Sequence, residues 1–281
     1  MKIIECPRDA MQGMKEFVPT QNKIAYINAL LQVGFDTIDF GSFVSPKAIP
    51  QMRDTADVLK GLDLENTSSR LLAIVANTRG AQEALEFDEI DYLGFPFSIS
   101  ETFQQRNTNK SILEALNTLD EIQQLCVNKS KELVCYISMG FGNPYGDPFD
   151  PEVVGKFTEI LHSLGIRIIS LADTIGVAEP HIISKLFSTL IPAYPDVEFG
   201  AHFHSHPSTA IDKISTAYEA GCERFDGAIR GFGGCPMAKD DLVGNIATEH
   251  MLSYFGKKNL DLGINEASLK AAIDASTAIF A

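Results

Sequence analysis

Two kinds of segment alternate along the chain. Short β-rich runs read as strands: Lys2–Glu5, Thr37–Phe40, Arg70–Ala76, Ile90–Phe95, Glu132–Ser138, Arg167–Ala172, Glu198–His204 and Arg224–Ile229. Between them lie amphipathic segments, which predict helices near residues 20–33, 50–60, 79–86, 111–128, 151–164, 180–192 and 208–220. Two further helical stretches, near 244–255 and 266–279, follow the last strand.

Strands that alternate with helices pair in parallel through right-handed crossovers. Eight such units are the number that closes a barrel. The fold class expected is therefore α/β, a TIM (β/α)8 barrel with an extra C-terminal helix. The 281 residues are read as one catalytic domain, 1–281, because such barrels commonly use about 250 residues. An open doubly wound sheet is the alternative, but no Gly-rich phosphate fingerprint follows the first strand. No linker, low-complexity tract or sequence repeat interrupts the pattern.

Composition supports a large core, with 45% hydrophobic residues. Twenty-three basic against 37 acidic residues give a formal charge of −14. That balance argues against nucleic acid and anionic membrane as partners. It leaves an anionic small molecule open, because a metal ion or a few local cations reverse the field inside a cleft. The start, Met1–Glu5, reads as a strand rather than a secretory leader, and no apolar run approaches the ~20 residues of a membrane helix. The five cysteines, Cys6, Cys126, Cys135, Cys222 and Cys235, are scattered without a CxxC pair. Reduced thiols and a cytoplasmic location are expected.

In a barrel, chemistry collects where strands end. The first strand runs into Arg8-Asp9, the second carries Asp39, and the sixth ends at Asp173. The seventh carries His202-Phe203-His204. The eighth leads into Gly231-Phe232-Gly233-Gly234-Cys235-Pro236, with Asn245 ten residues beyond Cys235. These positions share one rim only if the barrel closes.

His202 and His204, two apart on a strand, point to the same face. An isolated pair of this kind is often only hydrogen-bonded, but Asp9 and Asn245 are available from neighbouring rim positions. Two imidazoles, a carboxylate and an amide oxygen, with no thiolate, favour an octahedral magnesium or manganese ion; zinc is the competitor. His206, before Pro207, is expected in the loop, facing solvent or behind the ligands. Arg8 is either a rim salt bridge or the holder of a developing enolate oxygen. Asp39 and Asp173 read singly as structural acceptors. Beside a metal they become candidates for general base or for orienting the histidines. Cys235 follows a glycine-rich run that is either an ordinary tight turn after the eighth strand or a loop whose backbone approaches a ligand, a setting suited to proton transfer or nucleophilic work. The other cysteines read as core thiols, except Cys6 at the first strand's end, which is left open.

Taken together these residues resemble the hydroxymethylglutaryl-CoA lyases, within the TIM-barrel lyases and Claisen-type synthases. The resemblance runs from Pro7-Arg8-Asp9 to the helix after Asn245. Its most specific parts are Ser42-Phe43-Val44-Ser45-Pro46-Lys47 with Pro50-Gln51-Met52, Asp173-Thr174-Ile175-Gly176, His202-x-His204, and the Gly-Gly-Cys-Pro segment with Gly244-Asn245 and Ala247-Thr248-Glu249. It implies that Asp9, His202, His204 and Asn245 bind a divalent ion and that Arg8 stabilises the enolate of departing acetyl-CoA. It also implies that Cys235 is a catalytic acid/base and Asp173 a catalytic or supporting carboxylate, with Gln12 near the site. The reaction implied is retro-Claisen cleavage of 3-hydroxy-3-methylglutaryl-CoA to acetoacetate and acetyl-CoA, by a homodimer.

The chain departs from the family at several points. Asp39 stands where Glu is usual, Ala48 where Trp is common, Ser205–Ser208 replaces Asp-Thr-Tyr-Gly, and Ala10–Met14 replaces Gly-Leu-Gln-Asn-Glu. The changes at Ala48 and Ser205–Ser208 leave room for a lyase or aldolase acting on a different, for example shorter, acyl-CoA. A Claisen-type synthase, condensing acetyl-CoA with a 2-oxo acid, is expected to carry domains after the barrel. A metal- or CoA-binding protein without catalysis is disfavoured by the joint presence of Arg8, Asp9, both histidines, Cys235 and Asn245. Lys47, Arg106 and Lys110 are either phosphate contacts or solvated surface charges.

Overall fold

The computed structural model describes residues 1–234 and 243–280. Its strands are β1 (Lys2–Glu5), β2 (Thr37–Ser42), β3 (Arg70–Ile74), β4 (Tyr92–Ser98), β5 (Glu132–Ser138), β6 (Ile168–Asp173), β7 (Glu198–Phe203) and β8 (Arg224–Gly227). Each pairs in parallel with the next, and β8 returns to β1 through Lys2↔Arg224 to Glu5↔Gly227, so the barrel closes. The helix Glu266–Phe280 packs on Thr20–Leu31, as the extra C-terminal helix.

Strand parity separates two interiors. On β3, Leu71 and Ala73 join the apolar layer between sheet and helices, as does Val75 just past the strand, whereas Leu72 and Ile74 form a smaller cluster with Tyr92, Val134, Tyr136 and Ile168 in the lumen. The lumen beside β7 and β8 is instead polar. Arg224 donates to Glu198, which also accepts from Lys2, and Asp226 and His202 lie further along the same strands.

Several boundaries differ from the sequence reading. The segment 50–60 divides into a 3-10 turn, Pro50–Met52, and a helix, Thr55–Lys60. β4 begins two residues later than expected and continues through Pro96 to Ser98. Pro96 is tolerated because pairing with β3 ends at Gly94, leaving β5 as its one ladder neighbour there. Two helices were not expected, Pro7–Gln12 and Glu101–Thr108. The first starts on Pro7, whose fixed φ suits a helix N-terminus. The second is capped by the Ser100 hydroxyl, which accepts from the Phe103 N–H. The helix expected near 244–255 starts only at Thr248, because Asn245 is held in a bridge with His204.

Candidate active site

The site lies at the carboxyl ends of the strands, where a cavity of about 520 Å³ opens. Arg8, Asp9, His202 and His204 line it together with apolar groups such as Ile49, Ile74 and Phe103. The short helix Pro7–Gln12 carries Arg8 and Asp9 from the end of β1 over the lumen. The Arg8 guanidinium donates from Nε to both Asp39 oxygens (3.0 and 3.2 Å), from Nη2 to Asp39 Oδ2, and from Nη1 to Asp9 Oδ1 at 3.0 Å. Of the five N–H groups of a guanidinium, these bonds use three and leave two, on a residue that lines the cavity.

Asp9 is the hub. Its Oδ1 also accepts from Gln12 Nε2 (2.7 Å), and its Oδ2 accepts from Asn245 Nδ2 (2.7 Å). His204 Nε2 lies 3.8 Å from Oδ2. The rings of His202 and His204 are 5.3 Å apart, and donor atoms of Asp9, His202 and His204 all fall within 4.8 Å of one another. His204 is 3% exposed, yet neither of its ring nitrogens has a hydrogen-bond partner. A buried imidazole with two unmatched nitrogens beside a carboxylate has the chemistry of a cation site.

The electrostatics point the same way. Burial pushes the Asp9 carboxyl up, but the Arg8 guanidinium and the two imidazoles more than offset it and hold Asp9 below the usual carboxylate range. Burial lowers the Arg8 pKa and the two carboxylates outweigh that, so its pKa lies above the ordinary value. For Asp39 burial dominates, and its pKa is pushed up to about 6 despite Arg8. Burial disfavours the charged form of His202, but the bond to Asp226 and the nearby Asp9 charge raise its pKa overall.

The structure brings together Arg8, Asp9, Asp39, His202, His204 and Asn245, with Gln12. It places Asp173 elsewhere. Ala172 and Thr174 line the cavity, while the buried Asp173 carboxylate accepts from Val177 N (2.8 Å), Ala178 N (3.0 Å) and Lys213 Nζ (2.6 Å). Lys213 also donates to the carbonyls of Gly176 and His204. Asp173 therefore ties β6 to the end of β7. Cys235 lies outside the described residues. The run leading to it does reach the cluster: Gly233 has φ +101, and a Cβ there would meet Asn245 Nδ2 at 2.6 Å and the Asp9 carbonyl oxygen at 3.0 Å. Only glycine fits that approach.

His206 is exposed and bonds Ser208. Arg106 lies on the cavity rim and Lys110 donates to Thr118, whereas Lys47 is exposed. Asp226 escaped the sequence reading: its carboxylate meets His202 Nδ1 at 3.1 Å. The only signal for it was strand parity, two residues after Arg224 on the lumen face of β8.

The HMGL-like family model matches residues 2–275. The chain is 35% identical over 266 residues to the hydroxymethylglutaryl-CoA lyase YngG of Bacillus subtilis, covering 95% of this chain and 88% of that one. The chain belongs to the HMGL-like family. Within it, a crystal structure of the B. subtilis HMG-CoA lyase superposes with a TM-score of 0.92 at 34% identity, over 99% of this chain and 93% of that one. An Acinetobacter baumannii HMG-CoA lyase, solved with coenzyme A and 3-methylmalate, superposes with a TM-score of 0.91 at 29% identity, over 100% and 91% of the two chains. The barrel is thus the one shared by HMG-CoA lyases, and the chain is an HMG-CoA lyase-like lyase.

Proposed function

We propose that this protein cleaves 3-hydroxy-3-methylglutaryl-CoA to acetoacetate and acetyl-CoA, with magnesium or manganese held by Asp9, His202, His204 and the Asn245 amide. The observation that carries the reading is the convergence of Asp9, His202 and His204 beside Arg8 at the mouth of the barrel. The orphaned nitrogens of His204 fit a cation, and the oxygen- and imidazole-rich set, without a thiolate, fits a hard one. A divalent ion bound there supplies Lewis acidity to substrate oxygens.

The chain's own groups handle the proton and the charge. Asp39 lies behind Arg8, which bonds both its oxygens and itself lines the cavity; with a pKa raised to about 6 by burial, it is the carboxylate assigned to accept the proton of the tertiary hydroxyl, relayed through water. Asp173, bound to Lys213 and two backbone N–H groups, is left a structural role. As the carbon–carbon bond breaks, its electron pair moves into the thioester. The two free N–H groups of Arg8 hold the resulting enolate oxygen. Cys235 then donates a proton to the acetyl-CoA carbon, an assignment supported by the family's Gly-Gly-Cys-Pro segment. A cytoplasmic location fits the free thiols Cys6, Cys126, Cys135 and Cys222. Among the described residues no helix is long and apolar enough to cross a membrane.

A second reading rests on Ala48. It lines the cavity at the position where the family commonly has Trp, and the space this leaves favours a 3-hydroxyacyl-CoA with a larger acyl group, in place of the shorter one the sequence suggested. Parallel turnover of 3-hydroxy-3-methylglutaryl-CoA and bulkier 3-hydroxyacyl-CoA esters, read as ketone product by mass, decides between them. Preferred release of acetoacetate supports the first reading, and preferred release of a larger ketone supports the second.

A further inference from the structure

The two imidazoles of the cluster are not equivalent. His204 has no partner at either nitrogen. His202 is held on two sides: Nδ1 lies 3.1 Å from Asp226 Oδ2, and the Tyr136 ring packs against it edge-on at 5.6 Å. The hold is built into the backbone, since His202 and Asp226 are register partners on β7 and β8. Adjacent strands in register bring same-face side chains within reach of each other without help from a loop.

Asp226 is itself fixed. Its side chain is fully buried, and β8 pairs on its other side with β1 through Asp226↔Ile4. Arg224, two residues earlier on the same face, puts a permanent cation in the lumen below it, and Arg224 is anchored to Glu198. The other close donor, the Cys6 thiol, points to the Ile4 carbonyl instead. His202 is therefore the hydrogen-bond partner of Asp226 among the described residues.

We infer that Asp226 is a positioning residue that holds the proton of His202 on Nδ1 and turns the lone pair of Nε2 toward Asp9 and His204. A ring with Nδ1–H committed to a carboxylate presents one nitrogen, in one orientation, to a cation. His202 thus enters the cluster with one nitrogen already committed, whereas both His204 nitrogens remain unpartnered. This inference rests on the metal site proposed above and adds the group that aims one of its ligands.

The test is a manganese titration followed by electron paramagnetic resonance on the full chain, with folding checked by circular dichroism. Asp226→Ala removes the acceptor and is expected to weaken Mn²⁺ binding by about 10–100-fold. Asp226→Asn, which keeps an oxygen in place, is expected to recover part of that loss. A folded Asp226→Ala protein with wild-type Mn²⁺ affinity overturns the inference. Nitrogen-15 spectra of the wild-type histidine rings, taken without metal at a pH where His202 is neutral, supply a readout independent of any variant. They are expected to show His202 with its proton on Nδ1, and a proton on Nε2 overturns the assignment. Wild-type protein that binds no Mn²⁺ would sink the metal site itself, while the ring spectra would still decide the role of Asp226.

Discussion

Arg8 is clamped onto Asp39 by two of its nitrogens, Nε at 3.0 Å and Nη2, while its third reaches Asp9. A planar fork held this way points its remaining N–H groups in a fixed direction, which a lysine ammonium cannot copy. Arg8→Lys is expected to lower kcat by about 10²–10³-fold with little change in KM. Steady-state kinetics on 3-hydroxy-3-methylglutaryl-CoA check this, and a loss confined to KM would remove Arg8 from the stabilisation of the enolate.

Asp39 is a shorter carboxylate than the Glu usual in the family. Like a glutamate, it offers two oxygens to the Arg8 guanidinium, and burial raises its pKa to about 6. Asp39→Glu is expected to retain activity within about tenfold, and Asp39→Asn to lose about 10²-fold or more. Equal activity of the Asn variant and wild type would show that Asp39 does not accept the proton.

The strand order and the rim residues were legible because both depend on short patterns. Eight β-rich runs in alternation with helices, with no Gly-rich fingerprint after the first, favour a barrel over an open sheet, and in a barrel the ends of β1, β2, β7 and β8 share one rim. The helix Glu101–Thr108 was not legible: it is polar on most sides and buries little beyond Phe103 and Gln104. Its start is marked by the Ser100 cap, which accepts from the Phe103 N–H, and not by an apolar stripe. Asp226 was missed because its partner is fixed by cross-strand register, a property of the closed sheet and not of its neighbours in sequence. Asp173 reads singly as a structural acceptor and, beside a metal, as a candidate base; its pairing with Lys213, forty residues later, fits the first role and is invisible in the local sequence.

That ion pair makes Asp173 a stability element. Asp173→Asn leaves the buried Lys213 ammonium without its counter-charge and is expected to cost about 3–5 kcal/mol. Urea denaturation checks the loss. Kinetics on the remaining folded protein should stay within a few-fold of wild type, and a catalytic defect without destabilisation would return Asp173 to the reaction.

Glu5 gives a pH signature. It is fully buried, accepts from the Ile229 N–H and meets the Thr248 hydroxyl, and burial pushes its pKa from 4.5 to about 8. The folded protein thus binds this proton more tightly than the unfolded chain. The stabilisation is fully present below about pH 4.5 and is lost as pH rises to about 8. Glu5→Gln mimics the protonated group. Its melting temperature should match wild type near pH 4.5 and exceed it by several degrees at pH 8 and above, a difference on the order of a few kcal/mol. A pH-independent difference between the two proteins would contradict the raised pKa.

Cys235 is assigned the final proton transfer. Cys235→Ser is expected to lower kcat by about 10²–10⁴-fold without changing the circular dichroism spectrum or the Mn²⁺ affinity. Wild-type turnover in this variant would take the thiol out of the mechanism.

The most direct test of the account is cleavage of 3-hydroxy-3-methylglutaryl-CoA by protein first stripped with chelator and then given back magnesium or manganese, with acetoacetate and acetyl-CoA both quantified by mass. The account predicts no product from the stripped protein and equal amounts of the two products once the ion returns. Cleavage at an undiminished rate by the stripped protein, or no cleavage with either ion bound, would contradict it.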